Sequence, residues 1–215
     1  MKKFWLAFLV IMCVVGVIVL SPYYTLYQIK SAYQAGDYDK VISYVDIPRT
    51  QQHIKTILHA RLDETLNNNP KLVGLTTLFP NIKDTLSNRA KQEINKTTEQ
   101  AINADNLKKL LTNDISADSK KLVAVWAVAS DYVDYESLVK DLLVHDLDTA
   151  IHNQESIITK KVVARFGKAA PSDASLRYCG LHRFMVTGNI SNQPTGIILT
   201  RDGMLRWQIT QIILP

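Results

Sequence analysis

Seventeen consecutive residues, Phe4 to Leu20 (FWLAFLVIMCVVGVIVL), carry no charge. As a helix they extend about 26 Å, at about 1.5 Å per residue. That length is at the short end of what crosses a bilayer, and Ser21 to Tyr24 can extend it. A cleaved signal peptide has a shorter apolar core and small residues at its end. Here the one small residue near the end is Ser21, and Pro22 follows it at once. A lipidated cysteine needs small residues before it, whereas Cys13 follows Ile11 and Met12. The pattern predicts an uncleaved anchor over residues 1–22.

Lys2 and Lys3 precede the run, and only Lys30 follows within ten residues of Leu20. Positive charge is retained on the cytoplasmic side, so the N-terminus is expected inside, with residues 23–215 forming one extracytoplasmic domain. These features place the chain in the inner (cytoplasmic) membrane as a single-pass protein, its bulk in the periplasm. Trp5 at one end and Tyr23, Tyr24 and Tyr27 at the other suit the two interfaces, where amphipathic rings prefer to lie.

Two of the 25 Lys and Arg precede the run and none of the 20 Asp and Glu do, so the residues after it carry a net charge of +3. A mildly basic surface suits a place beside anionic lipid. Nucleic-acid binding calls for clustered charge, but here the charge is dispersed, so no nucleic-acid partner is expected. With Cys13 inside the apolar run, Cys179 has no partner for an internal disulfide. The outer residues are numerous enough to bury a core without such staples.

Beyond the run, LYQIKSAYQAGDYDKVISYVDIP (residues 26–48) breaks its helical spacing at Gly36-Asp37. Gly36 can adopt the left-handed conformation that ends a helix. Asp37 can then cap the next helix by accepting from its free amides. Tyr38, Val41, Ile42 and Val45 restore an apolar face, and Pro48 suits the first turn of a third helix, which lacks an acceptor for its amide. Ile54, Ile57, Leu58, Leu62 and Leu66 carry that helix to the Asn67-Asn68-Asn69-Pro70 break. Residues 71–112 read as further helix, with Asp105 expected to cap a short segment bearing Leu107, Leu110 and Leu111. Residues 121–129 (KLVAVWAVA) fit either a buried helix or a strand, and 135–166 read as one long helix. A loop is expected at GKAAPSDAS (167–175).

The period then changes. RYCGLHRFMV (177–186), TGIILTR (195–201) and MLRWQITQIIL (204–214) read as strands, with a hairpin at Asp202-Gly203. Alternation puts Leu205, Trp207 and Ile209 on one buried face. Helices first and strands last predict an α+β fold. It consists of an N-terminal transmembrane helix, a helical layer and a C-terminal antiparallel three-stranded sheet.

The opening SPYYTLYQIKSAYQAGDYDKVISYVDIPRTQQHIKTIL and the ending RDGMLRWQITQIILP together resemble the DUF2939 family of uncharacterised membrane-anchored bacterial proteins. The Val45-Asp46-Ile47-Pro48 step fits that family's Val-Asp-aromatic-Pro, with Ile in the aromatic position. Arg201, Gly203, Trp207, Ile209, Ile212, Leu214 and Pro215 fit its closing pattern. ADNLKKLL and RYCGLHRF are similar to a mid-chain helix and a strand of the family, and Gln51 lies near a position where the family carries Arg. The resemblance covers about residues 21–60, 103–111 and 177–215, leaving 113–170 as a divergent helical middle. It implies a membrane-anchored architecture and assigns no activity.

The richest cluster of chemical side chains is Asp141, His145, Asp148, His152 and Glu155, which share one helix face. Two imidazoles and three carboxylates are competent ligands for a divalent ion. Val139, Leu143, Leu147, Ala150 and Ile157 fill the opposite face, so the stripe reads as the solvated side of an amphipathic helix. One helix face rarely closes a coordination shell, and no metal or other cofactor is expected. Cys179 and His182, three apart on one strand, point to opposite faces and make no nucleophile-base pair. Cys179 is expected to be partly buried. His53 and His59 lie on different faces of the third helix. Nucleophile elbows, phosphate-binding loops, dinucleotide-binding glycines and paired CxxC motifs are absent. No catalytic residue is assigned. Tyr178, Phe184 and Trp207 are the candidates to line a ligand pocket between sheet and helices. The expected function is a membrane-anchored, non-catalytic binding or scaffolding module. It would contact lipid through residues 4–20, and its partner would be another envelope protein or an apolar ligand. A metal-dependent or other hydrolase of the cell envelope is the alternative.

Overall fold

The computed structural model describes residues 2–68, 81–112, 125, 172–190 and 193–213. It is α+β, and its sheet has four strands where the sequence predicts three. Helix α1 (Lys2–Gln34) runs without interruption through the apolar stretch and on into the domain, passing Pro22. It stops as the sequence predicts. Gly36 has φ 72°. The Gly36 amide donates to the Tyr33 carbonyl (3.1 Å) and the Asp37 amide to the Ala32 carbonyl (2.9 Å). This pair of bonds around a left-handed glycine is a Schellman motif, which satisfies carbonyls that the helix end would otherwise strand. Asp37 then caps α2 (Tyr38–Ser43) by accepting from the Lys40 amide at 3.1 Å.

Helix α3 (Ile47–Asn68) starts at the Val45–Pro48 step, where Asp46 accepts from the Arg49 amide at 3.1 Å. Thr50, Ile54, Leu58, Leu62 and Leu66 make its buried stripe at four-residue spacing. Helix α4 (Ile82–Ala101) lies antiparallel along α3. Lys55 pairs with Glu99 (2.6 Å) near one end and Asp63 with Lys91 (2.8 Å) further along. Helix α5 (Ala104–Leu111) is capped by Asn103, which accepts from the Asn106 amide at 2.8 Å. Asp105, the expected cap, lies two residues too late and occupies the first turn instead. Lys108 of α5 reaches Asp39 of α2 at 2.7 Å.

The sheet is an antiparallel meander in the order β1-β2-β3-β4, built from Ser172–Tyr178, Arg183–Ile190, Gln193–Asp202 and Arg206–Ile213. The additional strand is β1. Its Ser-Asp-Ala-Ser start falls in the expected loop, because an edge strand paired on one side needs little apolar alternation. The expected strand 177–186 is two strands with a turn between them. Gly180 (φ 106°) lets the Cys179 amide donate back to the Arg183 carbonyl at 2.9 Å. Cys179 is accordingly exposed in a turn, which corrects its expected place as a half-buried strand residue.

At the Asp202-Gly203 hairpin the turn takes in Gly203 (φ 80°), Met204 and Leu205, with Asp202 facing Arg206. Leu205 is therefore exposed in the turn, while Trp207 is fully buried and Ile209 half-buried. A bulge opposite Ile198 and Leu199 admits Thr210 as an extra residue and buries it, an irregularity that strict alternation does not anticipate. Gly196 is required where β3 passes β2, since a Cβ there would collide with the Val186 carbonyl. The outer edge of β4 is covered: the Ile209 amide donates to the Tyr44 carbonyl (2.7 Å) and the Asp46 amide to the Ile209 carbonyl (2.9 Å), a one-residue parallel bridge. Of residues 121–129, only Val125 is described; it is helical and buried.

Candidate functional site

Chemistry and packing converge where α1 leaves its apolar stretch and meets the sheet. Pro22 has no amide hydrogen, so the Ile18 carbonyl, four residues back, loses its helical partner. Partly buried against the sheet, that oxygen needs another donor. It receives two. Ser21 Oγ donates to it at 2.7 Å, and Arg201 Nη2 reaches it from β3 at 3.3 Å. Ser21 Oγ in turn accepts from Trp207 Nε1 of β4 at 2.8 Å. One turn position along, the Tyr178 hydroxyl donates to the Val19 carbonyl at 2.6 Å. Three strands thus each send one side chain to the backbone or cap of the same helical turn.

The rings behind these polar ends pack edge to face. Tyr178 and Phe184 have centroids 5.0 Å apart, Tyr178 and Trp207 6.1 Å, and Phe184 and Trp207 6.3 Å. Tyr23 of α1 joins Phe184 at 4.9 Å. Offset and perpendicular ring arrangements of this kind add stabilisation beyond simple burial. The Arg201 guanidinium lies 4.7 Å above the Trp207 ring, a cation-π contact that orients it towards Ile18. Its Nε is buried without a hydrogen-bond acceptor among the described residues. Phe184, Leu199 and Trp207 have no exposed surface, and Leu26, Tyr178, Val186, Ile197 and Ile209 pack around them.

The three pocket candidates, Tyr178, Phe184 and Trp207, are therefore brought into one cluster. Ser21, Pro22 and Arg201 are members of the site that a search for catalytic groups overlooks. The signal for them was the Ser-Pro step directly after an apolar run, which frees a carbonyl wherever helix continues through it. Of the other candidate residues, His53 Nε2 meets the Ile212 carbonyl at 3.1 Å, tying α3 to β4. Gln51 donates to the Ile102 carbonyl at 2.7 Å, at the C-terminal end of α4. The stripe Asp141, His145, Asp148, His152 and Glu155 lies outside the described residues. Among the described residues no group of three or more His, Cys, Asp or Glu is placed to hold a metal.

Burial pushes the Tyr178 phenol above its ordinary value, against the opposing pull of Arg201. A raised value means that the folded chain holds this proton more tightly than the unfolded one. The contribution is then fully present below about pH 10, the unfolded phenol's value, and is lost as pH rises through the folded value. Tyr178→Phe should cost about 0.5–1 kcal/mol at neutral pH, the scale of one half-exposed hydrogen bond. It should also remove part of the alkaline loss of stability. Denaturation titrations of both proteins at neutral and strongly alkaline pH test this. An identical pH dependence in the two proteins would remove the phenol from the joint's energetics.

Residues 11–110 match the profile of a family described as a protein of unknown function, DUF2939. The matched segment runs from within the apolar stretch through the Gly36-Asp37 corner and the Val45–Pro48 step to the end of α5. It includes the helical half of the joint, and the sheet lies beyond it. No curated protein and no solved structure matches the chain.

Proposed function

We propose, with the DUF2939 match over residues 11–110 as premise, that the chain is a single-pass envelope protein acting as a non-catalytic binding or scaffolding module close to the membrane. Among the described residues, one helix, through Phe8–Gln34, is long and apolar enough to cross a bilayer. Its side chains from Phe8 to Leu20 are largely exposed, and none of the described residues covers that stretch. Lys2 and Lys3 ahead of the span support a cytoplasmic N-terminus, with the sheet on the periplasmic side.

The observation that carries this reading is the joint at Ser21-Pro22. A flexible tether would leave the domain free to turn on its anchor. Here three strands bind the last turn of the apolar run and Ser21 just past it, through Tyr178, Arg201 and Trp207. A module fixed in this way presents one constant face to whatever lies in the envelope beside it. The partner is another envelope protein, or an apolar ligand that meets the cluster at Tyr178, its partly exposed member, since Phe184 and Trp207 are closed in.

Topology is the direct test. A reporter active only outside the cytoplasm, fused after Pro215, should be active, and the mature protein should retain residues 1–22. Activity of a cytoplasm-only reporter at the same position would overturn the orientation. A mature N-terminus near residue 22 would replace the anchor with a signal peptide. Cross-linking in intact membranes, followed by mass spectrometry of the captured species, then identifies the partner.

A further inference from the structure

We propose that the two turns at one end of the sheet, residues 179–182 and 203–205, enter the headgroup layer of an anionic phospholipid bilayer beside the span. The inference rests on the anchored reading above and adds a second lipid contact to it.

In an antiparallel meander the β1–β2 and β3–β4 turns lie at the same end. Contacts with α1 show where that end points. Arg201 and Trp207 form a cross-strand pair next to the β3–β4 turn. They reach Ile18 and Ser21. Phe184 and Leu199 form a pair further from the turns. There Phe184 takes Tyr23 instead, while Tyr178 beside it on β1 extends its hydroxyl back to Val19. Moving towards the turns therefore moves back along α1, towards the apolar run. The His182 carbonyl accepts from the Arg201 amide at 2.9 Å, which holds the β1–β2 turn level with the third strand.

The side chains at this end are unusual for a water-facing turn. Leu181 is 81% exposed, Met204 77% and Leu205 49%. Turns are ordinarily polar, because nothing there offers an apolar side chain burial. Around these three stand Arg177, Arg183 and Arg206, all exposed, with Asp202 as the acidic member and His182 beside them. Apolar tips within a basic collar match the two layers of an anionic interface: acyl chain and glycerol for the tips, phosphate for the guanidinium groups. Continuity with the span selects lipid over a protein partner as occupant, since the tips project towards the exposed apolar surface of α1.

The test uses the full chain with Cys13→Ser and Cys179→Ser, reconstituted in phosphatidylcholine vesicles with and without phosphatidylglycerol. Single cysteines at Leu181→Cys, Met204→Cys, Val15→Cys and Lys96→Cys carry an environment-sensitive fluorophore. Lipids spin-labelled near the headgroup should quench the 181 and 204 probes several-fold more than the Lys96 probe, and more strongly with phosphatidylglycerol present. Deeply labelled lipid should quench the Val15 probe. If Val15 is quenched while 181 and 204 behave like Lys96, the anchor stands and the tip contact is refuted. If Val15 is not quenched, the anchored reading fails and the tip proposal fails with it. Protection of the tips from both lipid quencher and aqueous iodide would assign them to a protein surface, a second copy included, and would equally overturn the proposal.

Discussion

Trp207→Ala should destabilise the folded chain by about 3–5 kcal/mol, the range for emptying a large aromatic site in a packed core. The indole has no exposed surface. Its removal opens a void among Tyr178, Phe184 and Leu199. It also takes the ring from under the Arg201 guanidinium and the donor from Ser21 Oγ. Arg201 then loses the surface that aims it at the Ile18 carbonyl, so an oxygen orphaned by Pro22 loses support as well. Trp207→Phe separates these effects. It keeps most of the packing and loses the indole N–H, so it should cost nearer the ~1 kcal/mol of a single hydrogen bond plus the smaller ring. Chemical denaturation of the full chain in detergent, followed by circular dichroism, measures both. An unchanged midpoint for Trp207→Ala would mean that the sheet does not use this residue as its anchor on α1.

Val15→Lys should impair membrane insertion by about 2.5–3.5 kcal/mol, the cost of a lysine near the centre of a spanning helix. Val15 is exposed near the middle of the charge-free run, with no acidic residue between Phe4 and Leu20 to pair with the new ammonium. The run is only seventeen residues, so it has little surplus hydrophobicity to absorb the change. Its extension past Ser21 is committed to the sheet through Trp207. Fractionation of cells into membrane and soluble pools reads the outcome. Full retention of Val15→Lys in the membrane pool would mean that another part of the chain holds it there.

The helical half of the fold was legible because its signals are local. Gly36, Asp37 and the Val45–Pro48 step act within one turn of where they stand, and the Leu58–Leu62–Leu66 spacing repeats over many residues. The sheet was legible in part. Trp207 declared a buried face, but Leu205 did not share it, because a turn residue's environment depends on turn length. Thr210 could not be foreseen as buried, since a bulge inverts alternation without leaving a mark in the residues themselves. β1 was missed because Ser172 to Ser175 owe their extended form to pairing with β2 rather than to their own preferences. The site was half visible. Tyr178, Phe184 and Trp207 were singled out as one set. Their connection to Ser21 and Pro22 spans most of the chain, and no periodicity reports a contact of that range.

The Ser21–Trp207 hydrogen bond joins residues 186 apart, and that separation has a temporal meaning. Synthesis at about 5–20 residues per second puts roughly 10–40 s between the emergence of Ser21 and that of Trp207. Throughout that interval the Ile18 carbonyl lacks Arg201 and the turn lacks its indole, so the newly made helix waits with its proline break unsealed. Closing a loop of this length also carries an entropic cost that only the finished sheet offsets. A chain that stops before β3 and β4 would leave the helix unfastened, with the Ile18 carbonyl short of its strand donor. The last strands to be made decide whether the first helix has a finished exit, so completion of translation becomes a condition for a closed joint.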